Sequence, residues 1–270
     1  MFESKRMAAE RKHTLFFLRY ARAMSPVFID TDVDMARLGR DDKGVPERRY
    51  STTSLVIWAA GRVLSRHPAA NSAASSGRFP IVIAHDSVVA KVAVDRTVNG
   101  HRIVMAGLIP NVDKTDLPTI QAHLRRFRTD PLDDIPQMSG IQKMHRLPFW
   151  LGQLAFWLRV GPLRARSRTM GTFAVSSLGH RPVNGFQAIG GTTITLNLGQ
   201  VRDAAIVRNG QIVVAQVLRI TMAFDHRVID GAEAADILSE IKDVLEGDSG
   251  LDYTDVQAPT HFSNRLAIDY

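Results

Sequence analysis

The stretch from Thr221 to Gly231 concentrates this chain's capacity for chemistry. A run of apolar residues in strand-like alternation, Val217, Leu218, Ile220, Met222 and Phe224, leads directly to His226. Asp230 follows four residues later, then Gly231 and a helix-forming segment. An imidazole titrates near neutrality, so it is the side chain best suited to take a proton from a thiol or a hydroxyl at pH 7. The carboxylate beside it can set local geometry, and Gly231 permits a tight turn into the helix. A histidine at a strand-to-helix turn also serves structure alone, and His-x-x-x-Asp by itself does not separate the two roles.

The elements that must position this turn are legible as periodicities. Residues 4–24 carry helix formers with apolar Leu15, Phe16, Leu18 and Met24 in a partly helical pattern, and Pro26 ends it. Val27 to Val33 alternates like a strand, and Asp41 to Pro46 is a polar loop. Ser51-Thr-Thr-Ser54 reads as the start of a helix that stops before Pro68. Phe79–Ile83, Val88–Val94 and Arg102–Ile109 read as strands, with Val98-Asn99-Gly100 as a turn. Leu117 to Phe127 is helical. A loop with Pro131 and Pro136 then precedes an apolar helix from Leu147 to Arg159, bearing Trp150 and Trp157, and a basic one ending at Arg168. Strands are expected at Thr172–Ser176, Thr192–Leu198, Ala204–Val207, Ile212–Val214 and Val217–Phe224, with Arg208-Asn209-Gly210 as a hairpin turn. Ala232 to Leu245 is an amphipathic helix.

Asp225-His226-Arg227-Val228-Ile229-Asp230-Gly231-Ala232 resembles the signature of the acyltransferase core of 2-oxo acid dehydrogenase complexes, which shares its fold with chloramphenicol acetyltransferase. Peptide-synthetase condensation domains fit less well, because they carry a second histidine where this chain has Asp225. Gly171-Thr-Phe-Ala-Val-Ser-Ser-Leu-Gly179 resembles the family's second signature, and His67-Pro-Ala-Ala-Asn-Ser72 a third landmark. Pro26 to Asp34 looks like its first core strand. The landmarks keep the family's order over roughly residues 10–247.

The resemblance implies a two-layer α/β sandwich, a mixed sheet covered by helices, assembled as a trimer in which His226 faces Ser176 of a neighbour. It makes His226 the base that deprotonates the acceptor without an acyl-enzyme, and Ser176 the hydroxyl that stabilises the tetrahedral oxyanion. Ser177 is the rival donor. Such a donor is typically worth about 3–4 kcal/mol in the transition state. Asp230 matches the position that braces the active-site loop, with Arg19 or Arg22 as its partner, while Asp225 and Arg227 make structural hydrogen bonds. A serine hydrolase is the minor alternative, since no Gly-x-Ser-x-Gly elbow surrounds Ser176 or Ser177.

Departures bear on the substrate. Ile189-Gly-Gly-Thr-Thr193 stands where the family usually has an Asn-Pro-Pro/Ala-like stretch that shapes the channel. Lipoyl and subunit-binding modules are not seen before the core, and Asp113-Lys114-Thr115 lies within the acyltransferase match and is not a lipoyl site. The expectation is therefore a single acyltransferase domain over 1–270, with a helical insertion at about 140–168 and a tail at 248–270. Coenzyme A is the co-substrate and a small-molecule hydroxyl the acceptor. Two alternatives stand beside this: a dihydrolipoyl transacylase core acting on a lipoyl domain in trans, and an inactive trimeric scaffold.

Composition bounds the rest. With 45% apolar and 23% charged residues the chain reads as a globular protein able to bury a large core. It has no cysteine, so disulfides, thiolate nucleophiles and cysteine-ligated metals are excluded, and no metal is expected. No signal peptide is visible, which makes the cytoplasm the default. The net charge of +7 accompanies no nucleic-acid-binding pattern, and the phosphates of coenzyme A suffice as anionic partner. For the Trp150/Trp157 segment the readings, in falling order, are a helical hairpin packed on the core, a lid over the acceptor site, and contact with a membrane surface.

Overall fold

The computed structural model describes residues 7–36, 50–75 and 79–247; the polar loop at 41–46 and the tail at 248–270 lie outside them. Its centre is a mixed seven-stranded sheet in the order β1-β9-β7-β6-β4-β5, with β8 paired to the outer part of β9. These strands are β1 (Pro26–Asp34), β4 (Ala90–Val98), β5 (His101–Ile109), β6 (Phe173–Ser177), β7 (Ile194–Leu198), β8 (Arg202–Arg208) and β9 (Gln211–Asp225). A two-stranded ribbon, β2 (Ser72–Ala74) and β3 (Val82–Ala84), stands apart. β6 lies parallel to β4 and β7, and the other pairings are antiparallel.

Alternation along the strands gives the sheet two different faces. Phe173 and Val175, Ile194, Leu196 and Leu198, and Ile220, Met222 and Phe224 enter the main core. That core is closed by α2 (Thr52–Leu64), α3 (Leu117–Thr129) and α7 (Gly231–Glu246). α7 turns Ala234, Ile237, Leu238, Ile241, Val244 and Leu245 inward at helical spacing, each fully buried aliphatic contributing about 1.5–3 kcal/mol relative to exposure. α2 starts where Ser51 caps it, its hydroxyl accepting from the Ser54 amide at 3.2 Å.

The other face carries Ala174, Ser176, Thr195, Asn197, Thr221 and Ala223. The connection from β6 to β7 crosses it: the Asn197 amide donates to the Ala188 carbonyl at 3.1 Å and the Gly190 amide to Thr195 Oγ1 at 2.8 Å. Beside it α1 (Lys12–Ala21), α5 (Phe149–Val160) and α6 (Leu163–Met170) enclose a smaller apolar cluster of Phe16, Phe156, Val160 and Met170. The expected mixed sheet covered by helices is the fold found.

Two expectations need correction. The loop foreseen after Pro131 contains a helix, α4 (Pro136–Arg146), with Pro136 in its first turn. Proline is at home there because the amide it lacks has no helical partner. Only Met138 and His145 of α4 are buried, too sparse an apolar pattern to betray it. The strands expected at Ile212–Val214 and Val217–Phe224 are one strand of 15 residues, β9. Both hairpin turns are as expected, with positive φ at Asn99 and Gly100 and at Asn209 and Gly210.

Candidate active site

His226 sits one residue past β9, and the turn that carries it is tied down from several directions. The His226 amide donates to the Ser25 carbonyl at 2.9 Å, anchoring the turn to the start of β1. Asp225, only 3% exposed, receives Arg227 Nε at 2.9 Å and a terminal guanidinium nitrogen at 2.6 Å, and the Ser25 amide at 3.3 Å. Its own amide donates to the Thr193 carbonyl at 2.9 Å. Burial pushes the Asp225 carboxyl upward, but the hydrogen bonds and charge of Arg227 outweigh it and hold it below the usual carboxylate range. Asp225 and Arg227 thus have the structural role expected of them.

On this frame the His226 ring remains half exposed, its Nδ1 3.4 Å from Asp230 Oδ1. Asp230 is the residue from which α7 departs, and its side chain is 88% exposed. A proton on Nδ1, on the side of that carboxylate, would leave Nε2 as the free base. Neither arginine expected to pair with Asp230 reaches it. Arg19 bonds Gln153 Oε1 at 3.0 Å and lies 4.9 Å over the Phe149 ring, because α1 packs that side against α5. Arg22 forms no ion pair with Asp230 among the described residues.

Ser176 is elsewhere. It is registered with Asn197 across β6 and β7, and Asn197 with Thr221 across β7 and β9. Thr221 lies five residues before His226, so Ser176 and His226 are separated by roughly 17 Å along the sheet and by two strand spacings across it. One chain brings His226 and Asp230 together but not Ser176. The rival donor, Ser177, accepts from the Gly179 amide at 3.3 Å.

Two residues near Ser176 were not anticipated. Asn197 is fully buried on the same face, and its Oδ1 has no hydrogen-bond partner. Lys91 is registered with Ala174, two residues before Ser176 on that face. Its Nζ donates to the Gly190 carbonyl and stands 5.0 Å from the Phe17 ring, and burial pushes its pKa down to about 7. It therefore fastens the Ile189–Thr193 stretch, which sequence marked as the family's departure. That stretch needs its glycines: a Cβ on Gly190 would fall 2.2 Å from the Ala174 Cβ, and Gly191 has φ +76°. Lys91 gave no local signal, since a lysine in a strand ordinarily faces water. Among the described residues no group of three or more His, Asp or Glu could hold a metal.

A family model, the catalytic domain of 2-oxoacid dehydrogenase acyltransferases, matches residues 151–251, which include Ser176, His226 and Asp230. That stretch is similar to an acyltransferase catalytic domain. Among curated relatives, the dihydrolipoyllysine-residue acetyltransferase component of the pyruvate dehydrogenase complex from Rickettsia typhi is 38% identical over 28% of this chain and 19% of its own length. The Bacillus subtilis counterpart is 50% identical over 18% of this chain and 11% of its own. Component 5 from Arabidopsis thaliana chloroplasts is 22% identical over 78% of this chain and 39% of its own. The chain thus matches well under half the length of these relatives. Its fold is that of a probable dihydrolipoamide acetyltransferase from Listeria monocytogenes, with TM-score 0.63 and 20% identity over 93% of this chain and 97% of the other. The dihydrolipoamide acetyltransferase of Azotobacter vinelandii gives 0.65 and 21% over 93% of each.

Proposed function

We propose that this acyltransferase moves an acyl group between coenzyme A and a thiol of dihydrolipoamide, presented by a lipoyl group carried on another chain or domain. The observation that carries the reading is the exposed His226, aligned by Asp230 on a turn cross-braced by Asp225 and Arg227, within the stretch matched by the catalytic-domain model. His226 Nε2 takes the proton from the attacking thiol, the thiolate adds to the thioester carbonyl, and Ser176 donates a hydrogen bond to the resulting oxyanion. Collapse expels the second thiolate, which recovers the proton from the imidazolium. Asp230 stabilises that imidazolium.

The Azotobacter enzyme, studied for the roles of a serine, a histidine and an asparagine in its mechanism, offers a parallel. Its histidine and asparagine are four residues apart, as His226 and Asp230 are, and its serine precedes the histidine by about fifty residues, as Ser176 does. The likeness to dihydrolipoyl transferases supports the lipoyl thiol, held above as an alternative, over the small-molecule hydroxyl placed first. The separation of Ser176 from His226 favours a site completed between copies, in keeping with a trimer.

The test is release of free coenzyme A from acetyl-CoA with dihydrolipoamide as acceptor, comparing wild type with His226→Ala. Turnover that depends on His226 is expected, with the variant lower by about 10²–10⁴-fold. Turnover of small alcohols with none of dihydrolipoamide would return the acceptor to a hydroxyl.

A further inference from the structure

Nearly all of this protein's net charge comes from a small part of it. Residues 136–170, the helices α4, α5 and α6, contain six Lys and Arg and no Asp or Glu, against a net +7 for all 270 residues. Lys143, Arg146, Arg159, Arg164 and Arg168 are exposed. Only Arg166 is buried, bonded to the carbonyls of Ala74, Val160 and Gly161. Arg66, Arg102, Arg208 and Arg219 each meet a carboxylate, whereas the five exposed cations of α4–α6 make no ion pair among the described residues. They also lie close together: α5 packs against both α4 and α6, and the Arg159 guanidinium stands beside Gly140, one turn before Lys143.

The same helices carry an uncovered apolar face. α5 is apolar on almost every side, a pattern that ordinarily belongs to a buried helix. Gly152, Phe156 and Val160 do turn inward, toward Phe16 and Met170. On the other side Trp150, Leu154, Trp157 and Leu158 form one stripe by their helical spacing, and they are 45–69% exposed.

Whatever covers this face must be apolar where it meets the stripe and anionic around it. A second copy meeting it face to face would set these cations against their equals, which is strongly unfavourable. A phospholipid surface offers both properties, and tryptophan favours the boundary between headgroups and acyl chains. The 12 residues of α5 reach about 18 Å, well short of a hydrocarbon core of about 30 Å. No helix among the described residues is long and apolar enough to cross a membrane, so α5 can lie in the boundary but not span it.

We infer that α5 docks this protein on an anionic phospholipid surface, with the Trp150–Leu158 stripe in the headgroup boundary and the flanking cations on lipid phosphates. Docking of this kind does not depend on which thiol or hydroxyl accepts the acyl group. The test is co-sedimentation of the full chain with vesicles of phosphatidylcholine, with and without phosphatidylglycerol. Of the three tryptophans only Trp58 lies in the core, at 3% exposure, so quenching by brominated acyl chains reports on Trp150 and Trp157. Wild type should sediment with the anionic vesicles alone, lose tryptophan emission to brominated lipid, and be released by high salt. Trp150→Ser/Leu158→Ser and Arg159→Gln/Arg168→Gln should each weaken partitioning by about tenfold or more. Quenching is read on wild type alone, so it decides the matter even where a variant folds poorly. Wild type left in the supernatant overturns the docking, and equal binding to neutral vesicles overturns the anionic surface. Sedimentation without quenching, or undiminished in Trp150→Ser/Leu158→Ser, moves the contact away from α5 and overturns it too. A mass in light scattering that falls in that variant, without vesicle binding by wild type, would make a second copy the occupant instead.

Discussion

The two ends of the central sheet present their chemical groups under opposite conditions. At the end of β9 the turn carrying His226 is self-sufficient: its backbone is pinned by Ser25 and Thr193, its buried acid is neutralised by Arg227, and the imidazole is left half exposed. At the far end of β6, Ser176 lies beside a buried Asn197 whose carbonyl oxygen has no partner, under a crossing loop held by Lys91. Under the proposed mechanism, one end holds its base in a complete setting. The other is unfinished within a single chain. A base must keep its geometry through proton transfer, so rigidity belongs with it; an oxyanion donor can be contributed by a neighbouring copy, provided assembly is accurate.

Complementation would break this comparison most sharply. His226→Ala and Ser176→Ala should each lower kcat by about 10²-fold or more when assayed alone. Co-assembled after refolding together, they should regain a sizeable fraction of wild-type activity, because some interfaces then pair an intact His226 with an intact Ser176. A mixture as inactive as its parents would place both groups of one working site in the same chain.

Next in size is the brace. Asp225→Ala should cost about 1.5–3 kcal/mol of unfolding free energy by removing the buried acid that accepts from Arg227 and the Ser25 amide, visible in a urea titration. Because the folded carboxyl lies below its ordinary pKa, this contribution is fully present above the unfolded value of about 4 and is lost as pH falls through the folded one. Wild type and variant should therefore converge in strong acid and diverge at neutrality.

The last effect is expected at the far end. Lys91 titrates near 7 when folded and near 10.5 when unfolded. Between those values the unfolded chain binds the extra proton, so wild-type stability should climb as pH rises from 7 toward 10. Lys91→Met should flatten that climb; an unchanged slope would mean that the amine remains charged under its loop.

What sequence disclosed follows the same division. The His226 turn announces itself because all its parts, Asp225, His226, Arg227, Asp230 and Gly231, lie within seven residues and interact locally. The long helices α2 and α7 and the Asn-Gly turns were likewise visible, since capping, helical spacing and positive φ are local properties. Lys91 and Asn197 were not, because their surroundings come from Gly190, Phe17 and Ala188, about 74 to 99 positions away in the lysine's case and held by a loop in the asparagine's. The arginine sought for Asp230 failed for a related reason. Arg19 has a local pattern that suits several neighbours, and α5, distant in sequence, claimed it.

The pairing of β1 with β9 joins Pro26 to Asp225, nearly the whole length of the described chain. During synthesis at about 5–20 residues per second, β1 would emerge some ten to forty seconds before the strand that completes it. Throughout that interval a nine-residue strand has no lawful neighbour, since β9 is the sole strand it pairs with among the described residues. Ribosome-bound chains ending before Asp225 should accordingly be chaperone clients, prone to join one another edge to edge.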